Sequence, residues 1–121
     1  MDFLSEIKSI LTDILDIEGF RISEKTYLIR DLEAESIDLL ELAVCLNAKF
    51  KIEVNDDEIY LKQLRAFIDE AQREKSDIIK YLAEKYPFLS PARIEEILAD
   101  LDGGPALKIK DLISYVKWQR K

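Results

Sequence analysis

Apolar residues recur at helical spacing along most of the chain. Seven of them between Phe3 and Leu15 predict a first helix over about residues 2–16, with Gly19 beyond its end as the stop signal. Residues 17–35 show no sustained period and predict a long loop. The other predicted helices run from Ser36 to about Phe50, from Asp56 or Asp57 through Ala71, from near Ser76 or Asp77 to just before Tyr86-Pro87, from Ser90-Pro91 to just before Gly103, and over about 108–119.

Composition supports a single helical domain. The chain has 121 residues, 48% of them hydrophobic, with three glycines and three prolines. It contains no apolar run long enough to span a bilayer and no charged leader, so we expect a cytoplasmic protein. Cys45 is the single cysteine, which excludes an internal disulfide.

Charge is concentrated in one stretch. The net charge is −7, and residues 31–58 hold nine acidic and two basic residues, so the rest of the chain is neutral. Nucleic acid is therefore an unsuitable partner, whereas a basic protein surface is a suitable one. The alternative is that these acids only keep a helical surface in solution.

Missing residue types exclude most catalytic chemistry. The chain has no histidine, which excludes histidine triads and histidine-ligated zinc. One cysteine cannot build a thiolate metal site, and the three glycines form no phosphate-binding loop. We therefore do not expect an enzyme.

The second predicted helix is apolar on two faces. At about 100° per residue, one face predicts the core stripe: Leu39, Leu42, Ala43, Leu46 and Phe50. Three further aliphatic residues, Ile37, Leu40 and Val44, lie roughly opposite. They form either a contact surface or a face that later helices cover.

The residues around Ser36 carry a motif. Glu35-Ser36-Ile37, followed by Asp38 and Glu41, resembles the Asp-Ser-Leu, Asp and Glu signature of acyl carrier proteins. The resemblance continues through Phe50 and Glu53-Val54-Asn55-Asp56, and resumes over Leu107–Val116, which is similar to the family's last helix. Where the family reads Gly-x-Asp-Ser this chain has Glu33-Ala34-Glu35-Ser36, and loss of the glycine stiffens the approach to the serine.

The resemblance implies that a phosphopantetheinyl transferase attaches 4′-phosphopantetheine to Ser36, between Glu35 and Ile37. The arm's thiol then carries the acyl chain, which the apolar bundle interior shelters. From the residue alone, an ordinary helix N-cap is the favoured interpretation of Ser36, and the neighbouring residues change that weight. The chain is expected to be a monomer. Fatty-acid and lipid synthesis enzymes with basic, partly apolar surfaces are expected to bind it through Asp38, Leu40, Glu41, Val44, Asp56 and Asp57.

The chain departs from the family by an insertion of about 61–105 before the last helix. The predicted fold is an all-α, four-helix acyl-carrier-protein-like bundle with two or three extra helices, forming one domain over 1–121. The inserted apolar residues either enlarge the acyl space or pack outside as a satellite cluster. The expected role is a specialised carrier in fatty-acid or lipid synthesis, lipid A included. The alternatives are a carrier for polyketide or nonribosomal peptide synthesis and a helical adaptor without an arm.

Overall fold

The computed structural model describes residues 2–120, and these residues are helical throughout their regular structure. An isolated bridge between Tyr27 and Lys108 is the one β-type pairing found among them. Two short 3₁₀ helices cover Gly19–Arg21 and Leu101–Gly103. The α-helices are α1 (Phe3–Leu15), α2 (Ser36–Phe50), α3 (Asp56–Ile59), α4 (Leu64–Arg73), α5 (Ile78–Lys85), α6 (Pro91–Asp100) and α7 (Ile109–Gln119). This confirms the predicted helical bundle with extra helices, which are α4, α5 and α6.

The α1 helix has about the predicted bounds, but its stop signal differs from the prediction. Asp2 caps its start by accepting a hydrogen bond from the Ser5 amide at 3.1 Å. The helix stops at Asp16, whose φ of 54° is left-handed, a conformation that aspartate tolerates better than most residues. Gly19 therefore does not end α1. It begins the 3₁₀ turn instead.

The predicted third helix is two helices. Asn55, rather than Asp56 or Asp57, is the N-cap of α3, and its side chain accepts the Glu58 amide at 3.2 Å. The chain then turns at Leu61, whose φ is 55°. A left-handed leucine interrupts the helical hydrogen bonds, so α4 starts afresh at Leu64.

The next two helices begin where the capping signals predicted. The Asp77 carboxylate accepts the Lys80 amide at 3.3 Å at the start of α5. Ser90 accepts the Arg93 amide at 3.1 Å, with Pro91 in the first position of α6. The α5 helix ends at Lys85, just before Tyr86-Pro87.

One hydrophobic core joins the bundle and the added helices. α1 packs on α2 and α7, α3 contacts α7, and α5 packs between α4 and α6. Buried residues from the inserted segment belong to the same cluster as those of α1, α2 and α7. The inserted apolar residues therefore extend the core instead of forming a separate satellite. These residues are Leu61, Leu64, Leu82, Tyr86, Phe88, Leu89, Ile94 and Ile97.

Aromatic rings tie the inserted segment to the last helix. Phe88 meets the ring of Tyr115 edge-on, with centroids 5.0 Å apart, and lies 6.0 Å from Tyr86. Trp118 packs on both Phe88 and Tyr115, with centroids 5.8 and 5.7 Å away. Because aromatic side chains bury large areas, this cluster is a main source of adhesion between the two parts.

A buried ion pair joins α6 to α7. Arg93 donates from Nε to Asp111 Oδ1 and from Nη2 to Oδ2, both at 2.8 Å. Arg93 is 7% exposed and Asp111 is 1% exposed. The pair completes its hydrogen bonding with the Ala106 carbonyl, 2.8 Å from Nη2, and with the Lys108 amide, 2.9 Å from Oδ2.

None of the helices described between residues 2 and 120 combines the length and apolarity needed to cross a membrane.

Candidate functional site

Ser36 lies on the surface at the first residue of α2. The residue before it, Glu35, is extended and takes the N-cap position, so Ser36 is not the cap that its residue type favoured. The Glu35 amide donates to Asp38 Oδ2 at 2.8 Å, which is one half of a capping box. The Ser36 hydroxyl forms no hydrogen bond with the residues between 2 and 120.

The start of α2 is electrically suited to a phosphate. The first helical hydrogen bond at this end runs from the Leu39 amide to the Glu35 carbonyl, so the amides of Ser36 and Ile37 have no partner within the helix, whereas the Glu35 side chain caps the Asp38 amide. A helix of 15 residues adds its dipole to these amides. The backbone at this helix end would therefore stabilise a negatively charged phosphate attached at Ser36.

The loop that leads to Ser36 is anchored to the inserted segment. Arg30 donates from Nη1 to Asp100 Oδ1 at 3.0 Å and from Nη2 to the Gly104 carbonyl at 2.8 Å. Gly103 lies so close to this guanidinium that an added Cβ would be 3.1 Å from it. Arg30 has no local sequence signal for this role, because its partners follow about 70 residues later.

The loop is strained where the family has its glycine. Glu33 adopts a φ of 56°, a left-handed conformation that glycine reaches freely and glutamate does not. The change from glycine thus stores conformational strain two residues before the helix cap.

The outer face of α2, formed by Ile37, Leu40, Glu41 and Val44, is open to solvent. The three aliphatic side chains are 70%, 58% and 68% exposed, and Glu41 is also exposed. The sequence pattern left open whether later helices cover this face. The inserted helices do not cover it. On the opposite side of α2, Leu42, Ala43, Leu46 and Phe50 are buried and Leu39 is half-buried.

The other predicted contact residues lie in different surroundings. Asp38 is half-buried, and its carboxylate is engaged in the cap of α2. Asp56 and Asp57 form the first turn of α3, where Asp57 is exposed and Asp56 is half-buried. Neither contacts the outer face of α2 through a hydrogen bond or ion pair in the described chain.

A cavity of about 350 Å³ lies between the bundle and the inserted segment. Its lining includes Tyr60 and Leu64 beside the α3–α4 turn, Ile97 and Leu101 from α6 and the residue after it, and Ile29 from the loop before Ser36. The sequence pattern indicated extra apolar space in the inserted segment, about 61–105, and Leu64, Ile97 and Leu101 of that segment line this cavity. The break at Leu61, which places Tyr60 here, carries no sequence signal.

Comparisons with known proteins agree with this geometry. The family described as "Phosphopantetheine attachment site" matches residues 5–70, from α1 into α4. Acyl carrier proteins also match: that of Chlamydia muridarum is 32% identical over 85 residues, covering 70% of this chain and 97% of the relative. That of Helicobacter hepaticus is 33% identical over 58 residues, covering 48% and 76%. No solved structure gives a significant match.

The chain belongs to the acyl carrier protein family. Membership brings a covalently attached 4′-phosphopantetheine and the role of a carrier rather than a catalyst. The exposed hydroxyl and unpaired amides at the start of α2 are a donor set that fits this group. The 85 residues shared with the Chlamydia muridarum acyl carrier protein span almost all of that relative but only 70% of this chain. This carrier is therefore longer than that relative.

Proposed function

We propose that Ser36 is the attachment residue and that its arm carries acyl intermediates of a specialised fatty-acid or lipid synthesis as thioesters. The exposure of the Ser36 hydroxyl at the first position of α2 carries the proposal. In the loading reaction the serine oxygen attacks the β-phosphorus of coenzyme A. The phosphoanhydride bond breaks, adenosine bisphosphate leaves, and a base of the transferase takes the serine proton.

Enzymes that load or use the carrier are proposed to dock on the outer face of α2. Its aliphatic residues are exposed next to Ser36 and beside the exposed carboxylate of Glu41. An apolar patch with acidic neighbours matches a basic, partly apolar partner surface. Asp57 and the half-buried Asp38 and Asp56 extend the acidic rim that such a partner meets.

The added helices support a dedicated pathway. Helices α4, α5 and α6 share the bundle core, and Asp100 at the end of α6 and Gly104 hold the Ser36 loop through Arg30. A carrier with this additional surface suits its own set of enzymes, such as those that make long or hydroxylated acyl chains for lipid A. The proposal places the protein in the cytoplasm, because the arm's donor, coenzyme A, is an intracellular metabolite. It keeps the expected monomer as a separate part of the proposal.

The assignment of Ser36 is tested by intact mass after incubation with coenzyme A, magnesium and a broad-specificity phosphopantetheinyl transferase. We expect a gain of one phosphopantetheine in the natural chain and none in Ser36→Ala. Ser9→Ala is the matched control, since Ser9 is an exposed helical serine of α1, and it should gain the group normally. Normal loading of Ser36→Ala would move the attachment to another residue.

The pathway is tested by the acyl groups themselves. Hydroxylamine releases thioester-bound acyl groups from carrier purified from its own cells, and mass spectrometry identifies them. Long-chain or hydroxylated fatty acyl groups support a lipid pathway. Aminoacyl or polyketide intermediates would assign the chain to peptide or polyketide synthesis instead.

A further inference from the structure

The loop before α2 and the end of the inserted segment meet at the guanidinium of Arg30. Its Nη1 donates to Asp100 Oδ1 at 3.0 Å, and its Nη2 donates to the carbonyls of Asp100 and Gly104 at 2.6 and 2.8 Å. The ring of Tyr27 lies 4.4 Å from the Arg30 Cζ, and the Tyr27 hydroxyl donates to the Asp100 carboxylate. A planar guanidinium with a carboxylate, two carbonyls and a ring around it is fixed in direction as well as in place. We call these four residues the Arg30 anchor.

The inserted segment is shaped to receive this guanidinium. A Cβ at Gly103 would lie 3.1 Å from the Arg30 Cζ, so a larger residue there would push the guanidinium aside. Gly104 has a φ of 110°, a conformation that glycine reaches freely, and its carbonyl accepts from Arg30. Asp100, Gly103 and Gly104 all belong to the insertion of about 61–105. The anchor is therefore a contact that the insertion adds to the bundle.

A series of backbone hydrogen bonds joins the anchor to Ser36. The amides of residues 31–34 all donate to carbonyls of residues 27–29, at 3.0–3.4 Å. Two of these residues, Leu32 and Ala34, are also buried. Because every residue of this stretch is tied to the residues around Arg30, the stretch moves as one unit. The position of the anchor is thus passed to the start of α2.

The loop contains a residue that needs an external hold. Glu33 has a φ of 56°, a left-handed conformation that is disfavoured for a residue with a side chain. Without the anchor, Glu33 would favour the right-handed or extended region. A change of φ three residues before Ser36 would turn the chain that presents the serine. The anchor and the hydrogen bonds of the loop hold Glu33 against this change.

We propose that Arg30 is a positioning residue for the loading of Ser36, through which the inserted segment holds the serine hydroxyl in the orientation that the transferase needs. Arg30 touches none of the reacting atoms and acts through the loop. The transferase then meets a serine that is already ordered, so it does not have to order the loop during the reaction. This inference rests on the proposed attachment at Ser36.

Loading kinetics separate positioning from docking. The carrier concentration is varied at saturating coenzyme A and magnesium, and intact mass gives the rate of arm attachment. Arg30→Met should lower kcat roughly ten- to a hundredfold, because small misplacements of reacting groups cost this much. It should leave KM for the carrier within about twofold, since the outer face of α2 is unchanged. Leu40→Ser, on that face, should instead raise KM.

Matched variants approach the anchor from both sides. Arg30→Lys keeps the charge but not the planar fork, so its kcat should lie between those of the natural chain and Arg30→Met. Gly103→Ala leaves Arg30 in the chain and displaces its guanidinium, so it should also lower kcat. Arg73→Met, at an exposed arginine of α4, is the control and should load with the natural kcat.

A second control separates positioning from stability. Leu82→Ala, at a buried leucine of α5, should lower the free energy of unfolding without touching the anchor. All variants are loaded at a temperature at which circular dichroism shows them folded. Leu82→Ala should then keep the natural kcat. Amide hydrogen exchange of residues 31–34 should be faster in Arg30→Met and unchanged in Arg73→Met.

Each result decides one point. If the natural chain gains no arm, the proposed attachment at Ser36 fails. If the natural chain is loaded at Ser36 but Arg30→Met and Gly103→Ala keep the natural kcat, the positioning role is wrong. If Arg30→Met does not fold, Gly103→Ala alone decides in the same way. An equal loss of kcat in Leu82→Ala would also overturn the proposal, because it would assign the effect to stability.

Discussion

The buried pair between Arg93 and Asp111 should be the strongest single link between the inserted segment and the last helix. Two hydrogen bonds of 2.8 Å join a guanidinium that is 7% exposed to a carboxylate that is 1% exposed. Arg93→Met keeps the length and apolar stem of the side chain but leaves the carboxylate buried without its cation. Removing one member of a buried pair costs about 3–5 kcal/mol.

The assay is urea unfolding followed by far-ultraviolet circular dichroism, with and without Asp111→Leu. The Arg93→Met variant should lose about 3–5 kcal/mol of unfolding free energy. The double variant should lose less than the sum of the two single changes, because no unpaired charge remains. Loss of the hydrogen bond from the Lys108 amide keeps the double variant about 1 kcal/mol below full recovery.

Glu96 supplies the control. It also pairs with Arg93, at 3.3 Å, but its side chain is 58% exposed. Glu96→Gln should therefore change the unfolding free energy little, since exposed ion pairs contribute weakly. A loss below about 1 kcal/mol in Arg93→Met would refute the reasoning, because it would mean that the buried carboxylate does not depend on its cation.

Three further outcomes follow from the structure. Glu33→Gly should raise the unfolding free energy by about 0.5–1 kcal/mol, because the left-handed strain at φ 56° is relieved, while Glu18→Gly, at φ −75°, should lower it. The hydrogen bond from Tyr27 lowers the pKa of Asp100 below 3.8, so the stability that its carboxylate gives is present above that pH and is lost as the pH falls further. The unfolding free energy of Asp100→Asn should therefore depend less on pH in this range. An unchanged pH dependence of that free energy would contradict this. Leu40→Ser, on the outer face, should leave the unfolding free energy within about 0.5 kcal/mol and lower kcat/KM of the loading transferase; an unchanged kcat/KM would remove Leu40 from the contact surface.

Helices with strong end signals could be predicted from the sequence. Ser90-Pro91 and Asp77 mark the starts of α6 and α5 because a side chain near each start supplies the missing acceptor for a helical amide. The α2 helix has its predicted bounds because one of its faces buries four apolar residues in the core: Leu42, Ala43, Leu46 and Phe50. These are local causes, which a single stretch of sequence contains.

Features that depend on distant contacts could not be predicted. The stretch from Asp56 to Ala71 reads as one helix, and only the packing of Tyr60 against α2 and the burial of Leu61 in a left-handed turn divide it. Arg93 looks like any surface cation until α7 brings Asp111 to it. Ser36 looks like a helix cap, although Glu35 and Asp38 occupy that role.

The central claim is that the chain works as a carrier through Ser36. Its most direct test is the intact mass of the protein purified from its own cells, before and after hydroxylamine. The account predicts a mass above that of the bare chain by a phosphopantetheine arm and an acyl group, with hydroxylamine removing only the acyl part. Fragmentation should place the arm on Ser36. A population entirely at the mass of the bare chain, with Ser36 unmodified, would contradict the account.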